Sequence, residues 1–299
     1  MNLLISFFSF LPYSLRIYTG RTLGYIFGIL PTREKKIAKC QMRLFLRESF
    51  KPSYVPRVFA NLGQSVMECI NLKPLLTDIE SYVETDDLDL LLRLKTSQNG
   101  IVALSAHTGN WDLLAAYAIH KGFAVSTIGK KARFSKLQEI LADIRKSYGI
   151  RTIWRENPDS GREIIKCLKN KGVVAALIDQ DTRVKSLHAP FFSLPAVYPV
   201  SLVKLAKKSS YPILATFIFR VSSFKYKIFF HQLNNQAPVQ EILTEYSLLL
   251  EKYIRRFPDQ WVWFHKRWRT LEDGSRISGK EYLKYLRECK KNDPSLQIA

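Results

Sequence analysis

Gly100-Ile101-Val102-Ala103-Leu104-Ser105-Ala106-His107-Thr108-Gly109-Asn110-Trp111-Asp112 reads as a strand, a loop and the start of a helix. The apolar run after Gly100 is too short for a helix and is bounded by turn residues, as a buried strand is. Asn110 is a good helix cap, so a helix is expected from Trp111 to His120. On an open sheet, the end of such a strand is where ligand sites form.

The same alternation extends in both directions. Strands are expected at 124–128, 151–154 and 173–178, separated by helices at 135–148 and 161–170. Upstream, Val55, Phe59, Leu62, Val66, Met67 and Ile70 recur at helical spacing within 53–72, and a second helix is expected at 88–94. Downstream come a helix at 197–208, strands at 212–220 and 226–231, and a helix at 239–256. Strands alternating with helices imply a single α/β domain with a mostly parallel central sheet flanked by helices. The expected division is an N-terminal membrane-associating segment at 1–30, a body at 31–290 and a polar tail at 291–299.

The chain has 299 residues, and 46 Lys and Arg against 26 Asp and Glu give a net charge of +20, a surface that attracts polyanions. Aromatic residues make up 12%, a mixture that favours a lipid interface over a nucleic-acid groove. Cys40, Cys69, Cys167 and Cys289 show no CxxC spacing, so neither a zinc site nor a disulfide framework is indicated, and a reducing compartment is expected.

The apolar run at 2–13 is followed by Arg16, and a second runs from Leu23 to Leu30. Neither reaches the ~20 residues needed to cross a bilayer. The first charge follows the apolar run, which is the wrong order for a secretory signal. The expectation is a hydrophobic helix lying on the membrane. Leu3, Phe7, Phe8, Phe10 and Leu11 would enter the lipid, while Arg16, Arg21, Arg33, Lys35 and Lys36 meet headgroup phosphates. The alternative is a helix packed on the domain.

His107 and Asp112 carry the chemistry. At ~100° per residue, five positions separate them by roughly 140° on a regular helix, so the loop containing Gly109 has to curl for them to meet. If it does, Asp112 accepts a hydrogen bond from one imidazole nitrogen and leaves the other as a base. No serine or cysteine sits in a nucleophile signature such as G-x-S-x-G, so the hydroxyl acted on belongs to the substrate. By itself the pair is a modest signal, since a lone His before a helix is commonly an ordinary loop residue.

Context strengthens it. His107-x4-Asp112 resembles the HX4D block of the lipid A biosynthesis acyltransferases, a branch of the glycerolipid acyltransferases. Further blocks follow in the family's order: Asp179-Gln180-Asp181, Pro190-Phe191-Phe192, Pro199 with Leu205-Ala206-Lys207-Lys208, and Trp261-Val262-Trp263-Phe264-His265-Lys266-Arg267-Trp268-Arg269-Thr270. The resemblance implies transfer of a fatty acyl group from acyl carrier protein, or from acyl-CoA, to a hydroxyl of a lipid A precursor. The reaction would run at the cytoplasmic face of the inner membrane, with no acyl-enzyme, no cofactor and no metal, His107 as base and Asp112 as its aligner. A similar branch acylates phosphatidylinositol mannosides, which leaves another glycolipid as the alternative acceptor. Two departures stand out: Phe191-Phe192-Ser193 replaces a Phe-Phe-Gly turn, and Gly129-Lys130-Lys131-Ala132-Arg133-Phe134 replaces a Tyr-Arg-Pro block.

The other candidates each have a plain alternative. Asn110 is placed with the substrate contacts as well as at the helix start. Lys130, Lys131 and Arg133 either bind an acceptor phosphate or form a solvated basic loop. Asp179 and Asp181 are either a second carboxylate pair or hold Arg183 and Lys185. Phe191 and Phe192, with Leu194 and Pro195, either line an acyl slot or pack in the core. Trp263, His265, Arg267 and Trp268, in a segment expected to be a strand, make a lipid-headgroup rim. The same interleaving of rings and cations also suits single-stranded nucleic acid, so a non-catalytic membrane- or nucleic-acid-binding protein is the rival class; no recognised nucleic-acid module accompanies it, and nucleic acid is not the expected partner.

Overall fold

The computed structural model describes residues 8–97, 99–131 and 135–292. In chain order they form α1 (Tyr13–Ile29), α2 (Arg33–Leu46), α3 (Tyr54–Ile70), α4 (Lys73–Thr77), α5 (Ile79–Tyr82), β1 (Val83–Thr85), α6 (Leu88–Thr96), β2 (Ile101–Ser105) and α7 (Trp111–His120). Then come β3 (Val125–Gly129), α8 (Ser135–Ser147), β4 (Arg151–Trp154), α9 (Ser160–Lys169), β5 (Val173–Leu177), β6 (Ser186–Phe191), β7 (Leu194–Pro199) and α10 (Ser201–Lys208). β8 (Ile213–Arg220), β9 (Tyr226–Leu233), α11 (Val239–Arg256) and α12 (Tyr282–Asn292) complete the chain.

Seven strands make one sheet in the order β1-β9-β8-β2-β5-β3-β4, parallel throughout except for the antiparallel β8–β9 pair. β2 lies inside the sheet with all its residues buried, because both faces are covered. Val102 and Leu104 pack with residues of α2, α3, α10 and α11, while Ile101 and Ala103 pack with α6 and α7. The α/β expectation holds, and most of the expected elements fall within a residue or two of their bounds.

Three expectations change. The helix expected at 197–208 begins at Ser201, because 194–199 pair with 186–191 in a β6–β7 hairpin. The two residues at its tip, Phe192 (φ 49°) and Ser193 (φ 66°), are both left-handed, as a two-residue hairpin turn requires. A serine there carries a backbone penalty that glycine avoids, so Ser193→Gly is expected to stabilise the fold by about 0.5–1 kcal/mol after its greater unfolded-state entropy is counted. A raised urea midpoint with unchanged m-value is the check.

The block 261–270 is a chain of turns, not a strand. Its amides bond locally, Trp263 to Trp261 O, His265 to Val262 O and Arg267 to His265 O, and Gln41 takes up the carbonyls of Trp263 and His265. Trp261, Trp263, Trp268 and Arg267 are fully buried, so they form neither a headgroup rim nor a stacking platform for nucleic acid. Arg267 lies over the Tyr198 ring at 4.2 Å and donates to Val197 O at 2.6 Å. Phe191 and Phe192 are likewise core, against Trp268 and Phe45, so they do not line an acyl slot.

At the N-terminus, α1 lies directly on α3. Gly20, Gly24 and Gly28 face Gly63, Ala60, Phe59 and Pro56 so closely that a Cβ on Gly24 would overlap the Phe59 carbonyl. Only small residues let two helix backbones approach this closely. Among the described residues no helix is long and apolar enough to cross a membrane. Leu3 and Phe7 lie outside the described residues, and Phe10 is 87% exposed. Arg16 does not reach outward: it is buried and donates to Asn71 O at 2.7 Å, because its position shares the helix face that Gly20 turns to α3.

Candidate active site

The parallel ladder places the key pair. β2 and β5 run in register with Ser105 beside Leu177, and Ile178 N–H donates to Ser105 O at 3.0 Å. Two residues beyond each strand, His107 therefore meets Asp179. His107 N–H donates to Asp179 Oδ2 at 2.9 Å, and His107 Nδ1 lies 2.7 Å from Asp179 Oδ1. Trp261 Nε1 donates to Asp179 Oδ2 at 2.8 Å. Burial alone raises the Asp179 pKa, but the adjacent His107 and the donated hydrogen bonds outweigh it and bring it down to about 2. An ionised Asp179 accepts from Nδ1–H and leaves Nε2 as the basic nitrogen of a residue that lines the cleft.

Asp112 is not the histidine's partner here. It stands in the first turn of α7 and accepts from Arg145 of α8, Nε at 2.7 Å and Nη2 at 3.4 Å. The loop does curl at Gly109 (φ 51°), where a side chain would overlap Ile218 O, but it turns the histidine toward β5 and the carboxylate toward α8. The loop is held on all sides: Gly109 N–H donates to Gln260 O at 3.0 Å, and Ser65 Oγ donates to Gly109 O at 2.8 Å. Asn110 caps α7 through Leu113 N–H at 3.0 Å and donates to buried Glu68 at 2.8 Å, so both ends of its amide are spent on structure. Trp111 presents its ring edge-on to the imidazole at 5.1 Å.

Arg145 escaped the sequence reading, since the residue that orients it is 33 positions away. Burial lowers its pKa and the Asp112 carboxylate raises it, with a net rise, so the guanidinium is a fixed cation. It lines a cleft of about 700 Å³ with His107, Trp111 and Lys130, and the walls are largely apolar, from Ile128 and Ile153 to Leu202 and Leu205. A smaller apolar chamber of about 100 Å³ on the α7 side of the sheet shares Trp111, Arg145 and Leu177 with it.

The remaining candidates disperse. Lys130 is exposed on the cleft rim, Lys131 is exposed beside it, and Arg133 lies outside the described residues. Asp181 is a fastener: it accepts from Thr270 N–H at 2.7 Å and Arg276 at 2.8 Å, while Arg183 stays exposed. His265 Nε2 accepts the Asp181 N–H at 3.2 Å, and burial pushes its pKa down to about 3, with nearby Arg267 and Lys266 acting in the same direction.

That shift has a sign. Between the ordinary value of 6.5 and about 3, the unfolded chain binds a proton at His265 that the folded chain does not. Stability is thus expected to fall as pH falls through this window, by up to about 1.4 kcal/mol per pH unit from this group. His265→Gln, whose amide oxygen can still accept from Asp181, should flatten that slope relative to the unsubstituted chain in urea titrations at about pH 7 and pH 5.

Residues 2–270 match the family described as bacterial lipid A biosynthesis acyltransferase. The chain belongs to that family. It is 22% identical over 285 residues to the lipid A biosynthesis palmitoleoyltransferase of Escherichia coli K12, covering 88% of each chain. The same figures hold for a lipid A biosynthesis acyltransferase of Shigella flexneri. A phosphatidylinositol mannoside acyltransferase of Mycobacterium tuberculosis is 26% identical over 123 residues, 39% of this chain and 38% of that relative. The match thus spans well under half of the mycobacterial protein.

Proposed function

We propose that this member of the lipid A acyltransferase family moves a fatty acyl group from a carrier thioester to a hydroxyl of an anionic glycolipid, a lipid A precursor first among them. The observation that carries this reading is the His107–Asp179 pair at the rim of an apolar cleft. Asp179 fixes the proton on Nδ1, and Nε2 takes the proton of the acceptor hydroxyl as its oxygen attacks the thioester carbon. The resulting oxyanion is met by Arg145 and the N-terminal end of α7. As the tetrahedral species collapses, the carbon–sulfur bond breaks and the proton passes from Nε2 to the leaving thiolate. No bond to the enzyme forms.

Asp112 enters this scheme as the anchor of Arg145 instead of the aligner of His107. The acyl chain lies against the cleft's apolar walls, where each buried CH₂ contributes ~0.8 kcal/mol. Exposed Lys130 and Lys131 stand at the rim for an acceptor phosphate, and the +20 net charge suits an acidic carrier as donor.

The work takes place at a membrane surface, at the cytoplasmic face of the inner membrane. What supports the membrane surface is the outward side of α1, where Leu15, Tyr18, Leu23, Ile26 and Ile29 are each about half exposed on a helix whose other side is locked to α3.

The test is to offer purified enzyme labelled acyl-carrier thioester with a lipid A precursor or with a phosphatidylinositol mannoside. Transfer to the lipid A precursor supports the reading; transfer to the mannoside alone would reassign the acceptor. Transfer to neither, from carrier or coenzyme A donors, would sink it.

A further inference from the structure

The terminal block buries Arg267 but leaves Lys266 and Arg269 partly exposed. Arg269 Nε donates to Ile277 O at 2.6 Å, and Arg33, in the first turn of α2, donates to Gly279 O. Those two carbonyls are two residues apart, a span of at most ~7 Å, so the two guanidinium groups are anchored to the same short stretch of chain. Lys266 completes the group: burial lowers its ammonium pKa, Arg33 and then Arg269 lower it further, and only Glu34 opposes them. None of the ion pairs among the described residues engages Arg33, Lys266 or Arg269.

Two tethered guanidinium groups and a neighbouring ammonium, none with an ion-pair partner among the described residues, repel one another, and that repulsion is relieved by an anion of matching charge. The N-terminal end of α2, a 14-residue helix, adds its own positive field at Arg33. The location indicates the source of the anion. Lys35, two residues on, donates to Ile29 O at the last residue of α1, where Ile29 and Leu30 are exposed. Arg33 thus opens α2 four residues past the end of the apolar ridge of α1, and a lipid whose chains meet that ridge would bring its headgroup to this end.

We propose that Arg33, Lys266 and Arg269 form a phosphate-binding site for the headgroup of a membrane phosphomonoester lipid, separate from the acyl-transfer cleft. Guanidinium forks pair with phosphate oxygens, and the ammonium supplies the third contact. The inference rests on the membrane-surface reading of α1, but not on the chemistry of the cleft.

The experiment is flotation of the full chain with phosphatidylcholine vesicles containing phosphatidic acid or, at matched surface charge, phosphatidylserine. The double variant Lys266→Ala with Arg269→Ala is compared with Lys166→Ala with Lys169→Ala, an equal charge change on exposed α9. Loss of the first pair is expected to weaken binding to phosphatidic acid about thirtyfold and to erase its preference over phosphatidylserine; the α9 pair keeps that preference. Equal losses in the two double variants, or a preference that survives the first, would overturn the site. Arg33→Ala, which removes one exposed side chain, repeats the test should the double variant melt early. Glycerol 3-phosphate and inorganic phosphate, followed by thermal shift at constant ionic strength, separate the sources. Stabilisation by these without vesicle preference keeps the phosphate site but assigns it a soluble ligand. The readout is binding, so its failure leaves the acyl-transfer assay untouched.

Discussion

His107→Ala is expected to lower the rate of acyl transfer by about 10³-fold while leaving the chain folded, with the loss in kcat. The imidazole is about one-fifth exposed, and its removal deprives Asp179 of the Nδ1 contact, yet Trp261 and the backbone N–H of residue 107 still donate to that carboxylate. The fold should therefore tolerate the change. Radiolabelled transfer under single-turnover conditions, with circular dichroism as the folding control, is the measurement. An activity within tenfold of the unsubstituted enzyme would remove His107 as the base.

Asp179→Asn should be at least as damaging, for a different reason. Asp179 Oδ2 receives two N–H donors and Oδ1 a third. An asparagine has only one oxygen, and the two donors to Oδ2 come from a backbone amide and a buried indole that cannot turn away. The amide NH₂ is thus driven to face Nδ1, which must then become the acceptor, and the proton moves to Nε2. The base would be lost by tautomer inversion, an effect worth about 10³–10⁴ in rate. Nitrogen NMR of labelled histidine reads the tautomer directly, which a merely structural disturbance would not invert. Asp112→Asn leaves the histidine's tautomer in place and acts through Arg145, so its loss should not add to that of Arg145→Ala.

The distinction between the two aspartates marks the limit of what the chain alone revealed. The strand at 101–105 and the helix from Trp111 were legible because a short apolar run and a capping asparagine are local signals. So were His107 and Asp179 as candidates. Their pairing was not, because it depends on β5 lying beside β2, and strand order is not written in periodicity. Arg145 was missed for the same reason. The aromatic-basic block misled in the opposite direction: alternating rings and cations resemble a surface strand, yet three tryptophans there fill the core and Gln41 removes the backbone bonds a strand would need. The glycines of α1 were visible as letters, but their use became plain only when α3 was seen against them.

The ladder between β2 and β5 has a wider consequence. It gives His107 and Asp179 an address made of strand and level, not of sequence distance, and adjacent strands lie ~4.8 Å apart whatever the chain does between them. The 72 positions separating His107 from Asp179 are therefore free to lengthen or shorten at their loops. One residue inserted within either strand would shift the level and part the pair.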